Sequence, residues 1–301
     1  MDQKVSNRAE RQLQKRLAFL REAVAPERPL RIVDVGANPI NTPGYNTLLL
    51  LGGCEVWGFE PEADAFAALQ DNPVAGAHYI NKAVGKPGRA TFYHHPQSGL
   101  GSLYPVRQSS VAYLGHPGWY KPNPDTSPVD LVPLDEVSEL PQVDLVKIDI
   151  QGGELDVFQS GRAKMADAVC VITEARFFRI YEGEPMWGDV DCELRDQGFA
   201  LHKLEFAKSA VVANSLRGKM GNKAFRNQLI DGDAIYIRDP ETIADWSDEQ
   251  VKQLAVASAT VFHSYDLTVL CLDELVARGA AAADVPQRFF DLLPNWIRNP
   301  G

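Results

Sequence analysis

Between Asn7 and Val24, apolar Leu13, Leu17, Leu20 and Val24 recur at helical spacing among lysines and arginines, which predicts an amphipathic helix closed by Pro26 and Pro29. Short apolar runs follow at Leu30–Val35, Cys54–Phe59, His78–Val84, Val129–Leu134, Val143–Ile150, Ala168–Thr173, Phe199–Phe206 and Asp233–Arg238. Helical spacing separates many of them: Tyr45–Leu51, Glu62–Leu69, a stretch opening near Glu154, and Val190–Gln197. Near-continuous apolar strands alternating with helices predict an α/β, Rossmann-like, mostly parallel sheet covered on both faces. Right-handed crossovers wind such a sheet into a doubly wound arrangement. Arg89–His95 alternates after Lys86-Pro87-Gly88 and predicts an extra hairpin. Pro96–Pro128 is rich in Gly, Pro, Ser and Tyr and lacks a period, so a long functional or mobile loop is expected there. After Pro240 the pattern is helical to about Ala283, with Trp246, Val251, Leu254 and Val269–Leu272 as core candidates. The expected organisation is an N-terminal helix (1–28), a sheet domain (29–239) and a C-terminal helical extension (240–301).

Composition narrows the function. The 301 residues are 45% hydrophobic, enough for a packed core, and no apolar run approaches the roughly 20 residues of a membrane helix. A formal net charge of −10 argues against nucleic-acid binding, which needs a basic face. The charged N-terminal stretch lacks a signal-peptide core, so a cytoplasmic location is expected. Cys54, Cys170, Cys192 and Cys271 form no C-x-x-C pair, and no metal-ligand spacing is present.

The candidate chemistry lies where strands end. Asp34-Val35-Gly36-Ala37-Asn38 sits at the end of the first strand, facing the crevice in which such sheets bind ligands. Gly36 lets a ligand approach the backbone and offers an unhindered N–H, and Asp34 can face a cation. A dinucleotide loop wants three spaced glycines around a pyrophosphate, yet only Gly36 is present, so a cationic nucleoside such as S-adenosylmethionine fits better. Glu60, in Gly58-Phe59-Glu60-Pro61, follows the second strand roughly 20–25 residues on, where a carboxylate takes ribose hydroxyls. Its alternative role is capping the Glu62–Leu69 helix. The run Lys147-Ile148-Asp149-Ile150-Gln151-Gly152-Gly153-Glu154 is a third landmark, where a hydrophobic strand ends at Asp149 and places Asp149, Gln151 and Glu154 on the same sheet edge. Here the alternative is a structural Lys147–Asp149 ion pair, with Glu154 complementing a helix dipole.

These motifs, with Ala83-Val84-Gly85 and Leu134-Asp135-Glu136, resemble the FkbM family of S-adenosylmethionine-dependent methyltransferases over about residues 30–205. The resemblance implies a seven-stranded sheet with an antiparallel last strand, and mostly O-methylation of sugars or natural products. It implies that Asp34, Gly36, Ala37 and Asn38 hold the amino-acid end of the donor, and that Glu60 with Pro61 holds its ribose. Asn81, Lys82 and Ala83 would border the adenine, with Asp149 and Gln151 near the methyl group. Ile40 stands where the family commonly has glycine, and Gln151 where it more often has glutamate.

A hydroxyl acceptor benefits from a general base, and Asp149, Glu154, His94 and His95 are the candidates. Tyr104, Tyr113, Trp119 and Tyr120 either stack on a sugar-like acceptor or anchor their long segment to the core. Glu174 and Arg176, past the fifth strand, are placed to line the acceptor side, whereas His202 reads as a core residue. The acceptor is expected to be a small molecule or glycan, and a homo-oligomer is compatible with the helical tail. Two rivals stand beside this reading: an NAD-dependent nucleotide-sugar oxidoreductase, and a catalytically inactive protein that keeps the fold as a binding or regulatory module.

Overall fold

The computed structural model describes residues 2–37, 42–97 and 99–298, with side chains from Ala9 onward. Helix α1 (Asp2–Ala23) leads into β1 (Leu30–Val35), α2 (Asn46–Leu50), β2 (Cys54–Phe59), α3 (Ala63–Asp71) and β3 (Ala77–Ile80). Then come β4 (Ala83–Val84), β5 (Gly88–Tyr93), α4 (Gln108–Tyr113), β6 (Thr126–Val132), β7 (Leu145–Ile148) and α5 (Glu154–Ser160). The chain continues through β8 (Cys170–Arg176), α6 (Trp187–Asp196), β9 (Phe199–Ala210) and β10 (Gln228–Arg238). Four helices follow: α7 (Asp248–Thr260), α8 (Tyr265–Ala277), α9 (Val285–Leu292) and α10 (Asn295–Arg298). No described helix is long and apolar enough to cross a membrane.

Seven strands form one sheet in the order β3-β2-β1-β7-β8-β10-β9. All are parallel except β10, which runs antiparallel to β8 and β9 and is inserted between them. The period-two pleat sorts the apolar runs onto two faces. Leu30, Ile32, Leu145, Cys170, Ile235 and Ile237 face one core, covered by α1, α2, α7, α8 and α9. Val33, Val35, Val146, Ile148, Val171, Ala234 and Tyr236 face the other, against α5, α6 and the segment around Leu134–Leu140. Trp246, Val251, Leu254, Cys271 and Leu272 are buried, but Leu270 is largely exposed.

Two expectations change. The His78–Val84 run splits, because β3 completes the main sheet while β4 joins a small three-stranded sheet ordered β4-β6-β5. The Arg89–His95 stretch forms no local hairpin: β5 pairs antiparallel with β6, on the far side of the Pro96–Pro128 segment. That segment is folded, with Val111 and Leu114 buried against Ile180, Tyr181, Ala210 and Ile230.

Strand register fixes the site. Phe59, Val35, Ile148 and Thr173 are in register across β2, β1, β7 and β8, and Asp233 of β10 faces Glu174. The residues one step beyond are therefore Glu60, Gly36, Asp149, Glu174 and Asp233. One row along the crest carries a carboxylate from each of four strands and a glycine from the fifth.

Candidate active site

The chain leaves β1 at Gly36 with φ +92°, where a Cβ would lie 2.4 Å from the Asp149 carbonyl oxygen. Only glycine lets this turn pass over the end of β7. Gly58 does the same below Ala37, whose Cβ a side chain at 58 would meet at 2.8 Å. The Gly36 and Ala37 amides donate to the Phe59 carbonyl at 3.2 and 3.0 Å. They prolong the β1–β2 ladder, so the Gly36 N–H is not the ligand donor that the sequence suggested. Asn38, Pro39 and Ile40 lie outside the described residues.

Asp34 is buried, and it lines the cavity with its carboxylate already engaged. One oxygen accepts from the Tyr45 hydroxyl and the other from Lys147 Nζ, which is 3.0 Å away. Burial works against the Lys147 charge, but Asp34 outweighs it and holds the ammonium above its ordinary value. The expectation that Asp34 directly faces a donor cation is thus corrected: its charge is met inside the protein. The alternative Lys147–Asp149 pair gives way to Lys147–Asp34 for the same reason.

Glu60 is 5% exposed, and Oε1 accepts from the Glu62 amide at 2.8 Å. It does not cap α3, because Glu62 accepts from the Asp64 and Ala65 amides instead. No cation is paired with Glu60 among the described residues, and burial pushes its carboxyl pKa up. A buried carboxylate of this kind is stabilised by hydroxyl donors. Pro61, Lys82 and Ala83 line the cavity beside it. Asn81 does not: its amide donates to the Glu60 carbonyl at 2.8 Å and ties β3 to the crest.

Asp149 is exposed at the end of β7, and its Oδ1 accepts from Gln151 Nε2 at 2.9 Å. Gln151, held at φ +60°, accepts through Oε1 from Arg176 at 3.1 Å and from the Tyr181 hydroxyl at 3.2 Å. The amide suits this place because it donates to a carboxylate on one side and accepts from cation and phenol on the other. Arg176 is buried, with Glu174 at 2.9 Å, Asp231 at 3.1 Å and Glu184 at 3.3 Å. Burial pushes the Glu174 carboxyl well up, with Arg176 opposing. Both line the cavity. Glu154 does not line it. Its carboxylate accepts from the Ile150 amide at 3.0 Å and the Gly152 amide at 2.9 Å, folding the loop beneath α5. Burial raises its pKa. As a catalytic candidate it is corrected to a loop anchor, close to the helix-dipole alternative.

His94 and His95 reach the cavity wall. His95 Nδ1 accepts from the Gln97 amide at 3.0 Å, so Nε2 carries the proton and donates to the Trp119 carbonyl at 2.8 Å. With both nitrogens engaged it is no free base, which removes it as a candidate. His94 Nε2 lies 2.8 Å from Ser127 Oγ. Of the four aromatics in the long segment only Trp119 lines the main cavity. Tyr113 stacks on Phe178 with ring centroids 5.3 Å apart, and Tyr104 and Tyr120 pack into the segment's own core. Anchoring is their main part. His202 bonds Ser264 at 2.8 Å, away from the crest.

The residue missed in the sequence is Asp233. It lines the cavity, and burial, then Asp149, push its pKa up to about 6, with Lys147 opposing. The available signal was Asp231-Gly232-Asp233, two carboxylates at strand period on one face.

The cavity over this crest measures 1110 Å³. That exceeds a usual small-molecule site and has room for two ligands side by side. The sheet order, with one antiparallel strand inserted beside the edge, and a cavity over the crest define an α/β protein with a ligand site at its strand ends. A family profile described as the Methyltransferase FkbM domain matches residues 34–201, over half of the chain, and the chain belongs to that family. S-adenosylmethionine is the cofactor that goes with it. No curated protein matches the chain. Among solved structures it is similar to the magnesium protoporphyrin IX methyltransferase of Synechocystis PCC 6803 with bound SAM, at TM-score 0.37 and 11% identity over 76% of this chain and 79% of that one. The precorrin-6y C5,15-methyltransferase of Geobacter metallireducens GS-15 gives TM-score 0.35 and 11% identity over 75% and 87%. TYW2 of M. jannaschii in complex with AdoMet gives 0.31 and 14% over 76% of each. The residues present fit a sulfonium nucleoside: Glu60 is a buried carboxylate in need of donors, and the cavity's cations Lys82, Lys147, Arg176 and Lys208 are each paired with a carboxylate.

Proposed function

We propose that this protein methylates a hydroxyl group on a small acceptor, most simply a sugar ring within a glycan or natural product. S-adenosylmethionine supplies a methyl group already activated by its sulfonium. Glu60 takes the two ribose hydroxyls, with Pro61, Lys82 and Ala83 bordering the base. Asp149, steadied by Gln151, faces the positive centre, and Asp34 acts through Lys147, which it fixes at the end of β7. The acceptor lies over β7, β8 and β10 between Trp119 and the Glu174–Arg176 pair. An aromatic face opposite carboxylates suits a ring with one apolar face and a rim of hydroxyls. The protein's own contribution is chiefly alignment, which is worth on the order of 7–11 kcal/mol when two reactants are held in line.

The observation that carries this reading is Glu60, a buried carboxylate without a cation, opening onto a cavity that runs on to Asp233. Calorimetry with S-adenosylhomocysteine and with NAD tests the donor side. Binding of the first alone is expected, and binding of NAD alone would overturn the reading. Transfer of labelled methyl to a pool of nitrophenyl glycosides tests the acceptor side. Donor binding with no transfer to any of them favours the inactive binding module instead.

A further inference from the structure

The acids and histidines around the cavity are nearly all committed. Asp34 is held by Tyr45 and Lys147, Glu60 by the Glu62 amide, and Glu62 caps α3. Asp149 accepts from Gln151, while Glu174 and Asp231 pair with Arg176. Lys208 adds a second cation 3.5 Å from Asp231. Both His95 nitrogens are bonded, and His94 is on Ser127. Asp233 has neither a hydrogen bond nor an ion pair from its carboxylate among the described residues.

Its position is as telling as its freedom. Asp233 lies two strands from Asp149 along the crest row, about 10 Å at the usual strand spacing. One cavity spans both. An acceptor between them would present its hydroxyl toward the donor and stay within reach of β10.

We infer that Asp233 is the general base that removes the acceptor's hydroxyl proton, an assignment that rests on the methyl-transfer reading above. The acceptor oxygen forms its new bond to the methyl carbon, and the carbon–sulfur bond breaks with its electron pair remaining on sulfur. The hydroxyl proton passes to the Asp233 carboxylate, which later releases it to solvent. No further reactant is needed.

The groups facing Asp233 are Lys147 and Asp149 of β7, Glu174 and Arg176 of β8, Asp231 on its own strand, and Glu205 and Lys208 of β9. Lys147 favours the charged form, but burial, Asp149, Asp231 and Glu205 outweigh it and carry the pKa to about 6. A base poised there is ionised near neutral pH yet retains more proton affinity than an ordinary carboxylate. Above its pKa it is competent, and turnover falls as acidification protonates it.

Two measurements on the full chain test this. Carboxyl-carbon NMR, assigned by comparison with Asp233→Asn, should show a resonance titrating at about 6 without any ligand. In Asp149→Asn that midpoint should fall toward the ordinary value of about 4. On the nitrophenyl glycosides, Asp233→Asn should lose about 10²- to 10⁴-fold in kcat and the acid limb of its pH profile. S-adenosylhomocysteine affinity should hold, and Asp233→Glu should recover part of the rate. A wild-type midpoint near 4, or Asp233→Asn turnover within about tenfold of wild type, overturns the assignment. If the wild type binds no S-adenosylhomocysteine, the methyl-donor reading fails instead. If it binds but methylates none of the glycosides, the hydroxyl-acceptor reading fails, and the assignment of a base for that hydroxyl falls with it.

Discussion

The two halves of the crest are built on different plans. The half over β1–β3 relies more on backbone: a glycine that nothing else can replace, amides closing the ladder between strands, and beside paired Asp34 one buried carboxylate, Glu60, with no cation among the described residues. The half over β7, β8 and β10 relies on side chains, with Arg176 at the centre of three carboxylates and Gln151 relaying that cluster to Asp149. The first plan gives a shape fixed by the backbone itself. The second holds its charges through buried side-chain pairs, each of which depends on the others.

The contrast can be broken from either side. Arg176→Met should have the largest effect, about 3–5 kcal/mol of stability measured by urea unfolding, because it leaves Glu174 and buried Glu184 without their cation and Asp231 with Lys208 alone. Gly36→Ala should follow at roughly 1–3 kcal/mol or more, from a left-handed φ and the clash with Asp149. It should also abolish S-adenosylhomocysteine binding in calorimetry. Glu60→Gln should leave the melting temperature unchanged or raised at neutral pH, since it removes a buried charge, yet weaken S-adenosylhomocysteine binding by about 1.5–3 kcal/mol. Equal affinity in that variant would take Glu60 out of the ribose site.

The smallest effect is a pH-dependent one. Asp233 has a folded pKa near 6, raised above its ordinary 3.8, so folding is favoured most where both states are protonated and loses this contribution as pH rises through 6. Asp233→Asn should therefore melt about 2–4 °C higher than wild type at pH near 8, with no difference below pH near 3.5, where the carboxyl is neutral in both states. Screening by solvent keeps the gain to about 1 kcal/mol. A constant offset across the whole range would mean that titration is not its cause.

Most of the crest carried by β1, β2 and β7 is legible in the chain because parallel strands all point the same way. Each apolar run delivers its next residue to the crest, so Gly36, Glu60 and Asp149 can be read off strand ends. β10 runs the other way, so its crest residues precede the apolar run, and reading strand ends passes over Asp231 and Asp233. The Glu154 acid is plain in the sequence, but the amides of Ile150 and Gly152 folding back upon it are not. The Pro96–Pro128 segment hides its order similarly, since β5 finds its strand partner in β6 beyond a single bridge from Tyr93 to Ser102, and Val111 and Leu114 find theirs near residue 180.

The pairing of α1 with the last helices reaches into synthesis. Leu13, Leu17 and Leu20 share a core with Val251, Leu254 and Phe289, and Arg16 donates to the Ala259 carbonyl at 2.9 Å. A nascent chain halted after Arg238 would hold every strand yet leave one face of the sheet covered only by α1 and α2. Its greasy side would stay open on the ribosome until α7 emerged, a window in which a chaperone or an aggregate could claim it.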